Sequence, residues 1–463
     1  MASPCLNYDV LLDIIARSDS HQTGLAIMST CRLLRQEGAK VLLRKPIWLD
    51  TEERLVSFLS FLLKEPKTRP QRVRKLVLST YDLLSEVAEV FGVVFQLMIS
   101  LDTLDMSDPE TMIDSHPDLV FRMGLVKSLT SLKLSSAGLG VYQLLMLLRA
   151  PLKTLSVCWL TPGYDCFWEY LDEEKWPRFH PTILLGNFAE TLEELTCDWW
   201  YVGREYEAPR KTYTKMRRLA INECSDSFIL APFIQAFPNL THVSLRTYRH
   251  ELGESVFDDF RDNHELNVAH QHAPPSAGGG VWQHIQEFSG HFVEFYILGL
   301  ACHVRRLILE DSYTGDTVAL LAETLSQTCP EYFEFSTCSN DGYDGIEILS
   351  AGLREASAAA RSRLNMLVVN FRLKCPKPAM ENLASAIRGI PLQLLKFVRG
   401  DRHDVTVEEF DFAAFAETLF CGMSSLEEVV VSRGRAWEPP DVTSFDRNGL
   451  SGSGMSTRPI SGV

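Results

Sequence analysis

Five histidines lie between residues 264 and 291, and imidazole is the side chain that most often binds transition metals. His270 and His272 are separated by a single residue and could take up Zn²⁺ weakly, but no nearby cysteine completes a four-ligand site. The run Pro-Pro-Ser-Ala-Gly-Gly-Gly at 274–280 predicts a flexible loop in the same stretch. We therefore predict loop histidines that hold no metal, and no cofactor.

Two other groups have side chains that could catalyse a reaction. The acidic run 172–174 offers carboxylates, but acid–base catalysis needs a positioned partner, and a solvated charge run is commoner. Cys224 occupies the ninth position of a repeat, where a small hydrogen-bonding residue fits, so a structural thiol is favoured over a nucleophile. The sequence contains no phosphate-binding loop, zinc-protease motif or serine-hydrolase elbow. We predict that the protein is not an enzyme.

An apolar phrase recurs along the chain. Residues 129–139 read L-x-x-L-x-L-x-x-A-x-L, the strand-and-turn pattern of a leucine-rich repeat. Several copies lie 24 or 28 residues apart, and each follows a segment with helical periodicity. The pattern predicts an α/β fold, a leucine-rich-repeat solenoid with a curved parallel sheet and outer helices. The weaker copies open at Val73, Leu101, Leu152, Leu192, Met216, Leu240, Val304, Tyr332, Leu364, Leu392 and Leu426.

The chain divides into three predicted regions. Residues 1–50 predict a small all-α segment of three short helices, the first capped by Asn7. Residues 51–435 form the solenoid, with inserts near 159–185 and 247–285, and 436–463 form a disordered tail. The first insert is rich in aromatic residues, which fit either a ledge for a partner or packing inside an irregular turn. The second has room for a degenerate repeat, and Phe288–Leu300 predicts the helix before Val304.

Composition limits the class of partner and the compartment. The net charge of −15 and the pI near 5.3 argue against a nucleic-acid binder, which needs a basic surface. No stretch is long and apolar enough for a membrane span, and the first residues do not resemble a signal peptide. Eleven cysteines without Cys-x-x-Cys spacing indicate free thiols in a reducing compartment. We expect an intracellular protein of the cytoplasm or the nucleus.

The residues between the leucines of each strand are predicted to face outward, because side chains alternate along a strand. This outward face would bind the ligand of the solenoid, and its mixture of charges favours a protein over a polyanion. The candidate substrate-binding residues are Lys75, Asp105, Lys133, Glu194, Asp198, Arg218, His242, Arg246, Arg306 and Glu310, with Glu334, Asn370 and Lys396 on the same surface.

The amino-terminal segment carries a family resemblance. Residues 6–15, L-N-Y-D-V-L-L-D-I-I, resemble the opening of an F-box, whose usual pattern is L-P-x-E-[LIV]-L-x-x-I-[LF]. Residues 30–34, T-C-R-L-L, resemble its later V-C-[RK]-x-W segment. Together with the repeats, the whole chain resembles an F-box/leucine-rich-repeat protein of the kind abundant in mushroom-forming fungi.

The resemblance implies a substrate-recognition subunit of an SCF-type cullin–RING ubiquitin ligase. The F-box would dock on the Skp adaptor, which joins the cullin scaffold, and the repeats would recruit an unknown protein substrate. The alternative is a leucine-rich-repeat interaction module without a ligase role, whose first 50 residues only cap the repeats. The residues that the resemblance assigns to contact or support of the adaptor are Leu6, Tyr8, Leu11, Leu12, Ile15, Cys31 and Leu34.

Overall fold

The structure is a computed structural model of the chain. It describes residues 7–18, 20–80, 82–159, 172–200, 202, 209–224, 228–247, 256–274, 279–310, 317–337, 343–371, 377–400, 410–434 and 441–447. Contacts divide the chain into two compact units, each described by itself below. Unit 1 comprises Met1–Tyr201 and Glu205–Met216, and unit 2 comprises Val202–Arg204 and Arg217–Val463.

Unit 1 begins with three helices: α1 (Tyr8–Arg17), α2 (His21–Thr30) and α3 (Arg32–Leu42). The Asn7 side chain accepts a hydrogen bond from the backbone N–H of Asp9, as the predicted cap requires. A small core of Ile15, Met28 and Ala39 joins the three helices, and Phe61 from the next helix packs against it. Three short helices bury little apolar surface alone, so this contact with Phe61 supports them.

The rest of unit 1 alternates strands and helices. Strands β1 to β6 pair in chain order and are parallel. The elements are β1 (Pro46–Leu49), α4 (Glu52–Leu63), β2 (Lys75–Leu78), α5 (Ser85–Leu97), β3 (Thr103–Met106), α6 (Pro109–Ser115), α7 (Asp118–Gly124), β4 (Ser131–Leu134), α8 (Leu139–Leu147), β5 (Thr154–Cys158), α9 (Pro181–Leu184) and β6 (Glu194–Asp198).

The leucine positions of the repeats form the core of unit 1. Leu129, Leu132 and Leu134 are buried, and their equivalents in the neighbouring strands are buried too. Burying one leucine contributes about 1.5–3 kcal/mol, and a single repeat buries too few to fold alone. A polar contact also joins neighbouring repeats, because the buried Glu110 carboxylate accepts the backbone N–H groups of Gly138, Gly140 and Val141 at the start of α8.

The aromatic residues that flank the first insert belong to the core. Trp159, Phe179 and Trp200 are buried, and the ring of Trp159 lies 5.5 Å from the ring of each of the other two. The Trp200 indole N–H donates to the Phe179 carbonyl at 2.5 Å. For these residues the structure favours packing inside an irregular turn over a ledge. Residues 160–171, which include the other predicted aromatic side chains up to Tyr170, lie outside the described residues.

Unit 2 continues the same alternation. Strands β7 to β14 are parallel and paired in chain order, and β15 is antiparallel to β14. The elements are β7 (Arg218–Cys224), α10 (Ala231–Ala236), β8 (His242–Thr247), α11 (Val256–His272), β9 (His284–His291), α12 (Phe292–Leu298), β10 (His303–Glu310), α13 (Thr317–Thr328), β11 (Tyr332–Thr337), α14 (Tyr343–Glu355), α15 (Ala358–Arg363), β12 (Met366–Phe371), α16 (Lys377–Ile387), β13 (Leu394–Gly400), α17 (Phe412–Gly422), β14 (Glu428–Gly434) and β15 (Asp441–Asp446).

The second insert contains a complete helix and strand. Helix α11 occupies 256–272 and β9 occupies 284–291, so the prediction that His270 and His272 lie in a flexible loop is wrong. Most of the predicted flexible run 274–280, residues 275–278, lies outside the described residues. Phe288 lies in β9, and the helix after it begins only at Phe292, so the helix predicted from Phe288 begins four residues too early. The repeat pattern did not identify β9, because Gly290 occupies the position of the last leucine. The Leu245 backbone approaches it so closely that a Cβ on Gly290 would lie 1.9 Å from the Leu245 carbonyl oxygen.

Two further predictions for unit 2 need correction. The repeat predicted to open at Tyr332 is shifted by two residues, since Phe333 and Phe335 are buried while Tyr332 is only half-buried. The carboxyl-terminal tail, predicted to be disordered from 436, contains strand β15 at Asp441–Asp446. Each unit is thus an α/β structure with a mostly parallel sheet and outer helices, compatible with a solenoid. Among the described helices, none combines the length and the apolarity that a membrane span requires.

Candidate interaction surfaces

The residues that the F-box resemblance assigned to the adaptor differ in how deeply they are buried. Ile15 and Leu34 are 0% and 2% exposed, so they hold the three helices together and present little surface. Leu11 and Leu12 are partly buried, and Leu12 packs on the small helical core. Leu6 lies outside the described residues.

Tyr8 and Cys31, the remaining two, join the start of α1 to the start of α3. A hydrogen bond of 2.7 Å links the Tyr8 hydroxyl to Cys31 Sγ, and the same sulfur accepts the backbone N–H of Leu34 at 3.4 Å. The hydrogen bond from Tyr8 lowers the pKa of the Cys31 thiol below its usual range. The contact holds the two helices in a fixed arrangement.

Four apolar side chains that the motif comparison did not single out are the most exposed ones on these helices. Val10 and Ile14 lie one turn apart on α1, Leu25 lies on α2 and Leu33 on α3, with 40–58% of each side chain exposed. We call these four side chains the N-terminal apolar surface. Exposed apolar residues concentrated in so small a segment indicate an interaction site. Helical periodicity places Val10 and Ile14 on the same side of α1, because Ile14 follows Val10 by four residues.

The outward face of unit 1 carries all five residues predicted there, but it brings only two of them together. Lys133 Nζ lies 3.7 Å from Asp105 Oδ2 on the adjacent strand. Lys75 and Glu194 occupy the same register row but three strands intervene, and Asp198 lies opposite Cys158 at the other end of the strands. This face is therefore a dispersed set of charges.

The outward face of unit 2 brings its predicted residues closer together. Arg218 and His242 are register partners on β7 and β8. Arg246 on β8 reaches across β9, and its Nη2 lies 2.5 Å from Glu310 Oε1 on β10. Arg306 Nη1 lies 3.2 Å from Glu287 Oε2 on β9. Glu287 was missed by the sequence reading because β9 itself was missed.

These contacts continue across the next two strands. The Arg306 guanidinium lies over the Tyr332 ring, and the Tyr332 hydroxyl donates to Glu334 at 2.6 Å. Asn370 Nδ2 donates to Glu334 Oε1 at 2.7 Å and to Ser336 Oγ at 3.0 Å. Burial raises the pKa of the Tyr332 hydroxyl, which therefore stays protonated and acts as a donor. We call the set Glu287, Arg306, Tyr332, Glu334 and Asn370 the polar ladder.

Most of the described histidines of the second insert have structural contacts. His264 Nδ1 lies 2.6 Å from the Tyr296 carbonyl oxygen, and its ring stacks on the Tyr296 ring at 4.2 Å. His284 and His303 stack on adjacent strands with their Nδ1 atoms 3.4 Å apart. His270 and His272 lie in the last turn of α11. Among the described residues, no group of three or more histidine, cysteine or acidic side chains could hold a metal ion.

The other two candidates for chemistry give no support to catalysis. Asp172 forms an exposed ion pair with Lys175 at 2.5 Å, and the hydrogen bond from that lysine lowers the pKa of the carboxyl. The backbone of Cys224 ends β7, but its side chain lies outside the described part of the chain. No protein-family model matches the chain, and no curated protein shows significant similarity to it.

Proposed function

We propose that the protein is the substrate-recognition subunit of an SCF-type cullin–RING ubiquitin ligase, working in the cytoplasm or the nucleus. Its F-box-like helices would dock on the Skp adaptor, and its leucine-rich repeats would bind a protein substrate. The observation that carries the proposal is the N-terminal apolar surface, in which Val10, Ile14, Leu25 and Leu33 are exposed on the three helices that begin unit 1.

The N-terminal segment supports the docking step because its core and its surface use different residues. Ile15 and Met28 fill the core, while Val10 and Ile14 remain in water. Burial of apolar surface stabilises a protein by about 25 cal/mol for each Å² removed from water, and exposed apolar side chains do not contribute this stabilisation. Such exposure is explained if an apolar partner covers the helices.

The repeats support the recruitment step because their outward faces present paired charges of both signs. Arg246 with Glu310, and Arg306 with Glu287, are ion pairs on the outward face of unit 2. Mixed and partly buried charges select a protein partner by complementarity better than they attract a uniform polyanion. The protein would perform no chemistry itself and would raise the local concentration of a target near the ubiquitin-loaded enzyme.

A pull-down with purified Skp adaptor tests the docking step. We expect the full chain to retain the adaptor, and Val10→Asp with Ile14→Asp to weaken retention at least tenfold without changing the circular dichroism spectrum. Leu266→Asp on α11 is the control, because Leu266 is 36% exposed, similar to Ile14 at 40%, but lies in unit 2. The adaptor role is lost if the full chain does not retain the adaptor, or if the N-terminal and control variants bind equally.

The second candidate, a repeat module without a ligase role, is favoured by one contact. Phe61 of α4 packs against the core of the three N-terminal helices, as a cap over the first repeat would require. Under this alternative the chain fails to retain the adaptor, and Arg306→Ala still lowers capture of its co-purifying proteins. Under the ligase proposal Arg306→Ala lowers substrate capture while retention of the adaptor is unchanged.

A further inference from the structure

Exposed large apolar side chains are concentrated on the outer helices of unit 1. Phe121, Leu125 and Ile99 are 64–65% exposed. On the described helices of unit 2, Leu266 is the one exposed large apolar side chain, at 36%. The described helices of unit 2 therefore have a mainly polar surface, whereas the outer helices of unit 1 expose several large apolar side chains. The residues that we call the outer apolar face are Val90, Val93, Leu97, Ile99, Phe121, Leu125, Met146 and Leu147.

These side chains form one continuous face. Phe121 on α7, and Leu125 directly after it, follow Val93 and Leu97 on α5 by one repeat of 28 residues, so they occupy equivalent positions in adjacent repeats. A groove of about 320 Å³ lies between the ends of the same two helices and is lined by Ile99, Leu125 and Lys127, among others. On the other side, α8 packs closely on α7, since a Cβ on Gly124 would lie 3.1 Å from the Cβ of Leu147.

Charges of opposite sign border this face at its two ends. All these helices run in the same direction, because each connects two parallel strands. Acidic residues lie near the helix starts, represented by Glu86, Glu89 and Asp118. Basic residues lie after the helix ends, represented by Lys127 and Arg149, which are exposed. The helix dipole favours this distribution of charge, but it does not account for the apolar residues between the two rims.

We propose that the outer apolar face binds a second copy of this chain, as a two-fold symmetric dimer. A two-fold axis that lies in the interface plane and is perpendicular to the helices turns the two faces toward each other and reverses the helix direction in the partner copy. The acidic rim of each copy then meets the basic rim of the other, and the apolar residues pack between them. A lipid surface fits this distribution less well, because an anionic membrane that attracts Lys127 would repel Glu89.

The size of the face corresponds to a weak, reversible dimer. Helices α5, α7 and α8 have 13, 7 and 9 residues, which correspond to lengths of about 20, 10 and 14 Å. They lie side by side, and at about 8–10 Å spacing they cover roughly 400 Å². This is about half of the ~800 Å² per partner of a standard specific interface, so we expect an equilibrium in the micromolar range.

Sedimentation equilibrium of the full chain between low and high micromolar concentration tests the dimer. We expect a monomer–dimer equilibrium, and Phe121→Asp with Leu125→Asp should raise the dissociation constant at least tenfold. Leu266→Asp again serves as the control and should leave the dissociation constant unchanged. Circular dichroism should show that both variants keep their fold, because the substituted side chains are exposed.

Reversing the charges of the acidic and basic rims distinguishes a two-fold dimer from other partners that could bind this face. Glu86→Lys with Glu89→Lys should weaken the dimer, and so should Lys127→Glu with Arg149→Glu. Combining all four substitutions restores opposite rims and should recover at least part of the affinity. The proposal is overturned if the chain stays monomeric at every concentration, or if Phe121→Asp with Leu125→Asp leaves the dissociation constant of the dimer unchanged. It is also overturned if the protein is a monomer that binds anionic phosphatidylserine vesicles through this face.

Discussion

The Arg306 guanidinium carbon lies 4.5 Å from the centre of the Tyr332 ring on the neighbouring strand. The two residues are register partners, and Arg306 also pairs with Glu287 on its other side. A cation held between an anion and an aromatic face loses part of its hydration but keeps two partners. This arrangement makes Arg306 the centre of the polar ladder on the outward face of unit 2.

Substitutions at Tyr332 should separate the ring contact from the hydroxyl contact. Tyr332→Phe keeps the ring but removes the hydroxyl, with its hydrogen bond to Glu334 and its contact with Arg306, and should lower the free energy of unfolding by about 1 kcal/mol. Tyr332→Ala also removes the ring under Arg306 and should cost about 2–4 kcal/mol. Urea unfolding of both variants checks this order. Equal losses would show that the ring over which Arg306 lies contributes nothing.

Asn267 on α11 joins three segments of unit 2 and should be costly to remove. Its side chain accepts the Leu230 N–H at 2.8 Å and donates to the carbonyls of Phe228 and Ile297 at 3.0 and 2.9 Å. Asn267→Ala leaves buried backbone groups unsatisfied, which should lower the unfolding free energy by about 2–4 kcal/mol. Exposed Asn187→Ala is the comparison and should cost less than about 1 kcal/mol in the same urea titration.

Gly290→Ala should disrupt the pairing of β8 and β9. The new Cβ would lie 1.9 Å from the Leu245 carbonyl oxygen, so the two strands must separate. We expect a loss of about 3 kcal/mol or more and faster amide hydrogen exchange in β8 and β9. Gly186→Ala has its nearest atom at 3.9 Å and should be close to neutral. Unchanged exchange in Gly290→Ala would contradict the close approach.

His180 should make the protein less stable in mild acid. Its ring is fully buried, and burial lowers the pKa of the imidazole to about 3 from an ordinary value of 6.5. The unfolded chain therefore binds this proton near pH 6.5 while the folded chain does not, so stability is lost as pH falls below 6.5. Between pH 7.5 and pH 5 the expected loss is about 2 kcal/mol, measured by urea unfolding.

A His180 variant isolates that contribution from the other histidines. The Nδ1 atom of His180 accepts the Thr182 N–H at the start of α9, and asparagine can supply an equivalent cap. His180→Asn should reduce the pH dependence between pH 7.5 and pH 5 by about 2 kcal/mol. An unchanged slope would assign the acid sensitivity to other groups.

The alternation of strands and helices could be predicted because each repeat carries its own signal. Leu132 and Leu134 are two residues apart and both point into the core, as strand geometry demands. The helices that precede the strands were also visible, since α5 and α13 repeat apolar residues with helical spacing. Stacking requires these positions to be apolar in nearly every unit, so the pattern survives in a single sequence.

Elements whose core positions depart from leucine could not be predicted. Strand β9 has Gly290 at its last core position because the Leu245 backbone occupies the space of a side chain. Helix α11 has a weak apolar pattern because Asn267 and Gln271 are buried through hydrogen bonds to the backbone of neighbouring segments. A buried polar residue whose hydrogen-bond partner is distant in the chain cannot be distinguished from a solvent-exposed residue in the sequence.

The sequence by itself determined the repeated strand–helix unit, because the inward positions of each unit are fixed by local periodicity. Only the tertiary structure decided which outward side chains meet. Arg306 and Glu287 are separated by a helix in the chain, and Glu110 reaches the start of α8 from the preceding repeat. Such contacts depend on register between strands and on how closely helices pack, and no local pattern encodes either quantity.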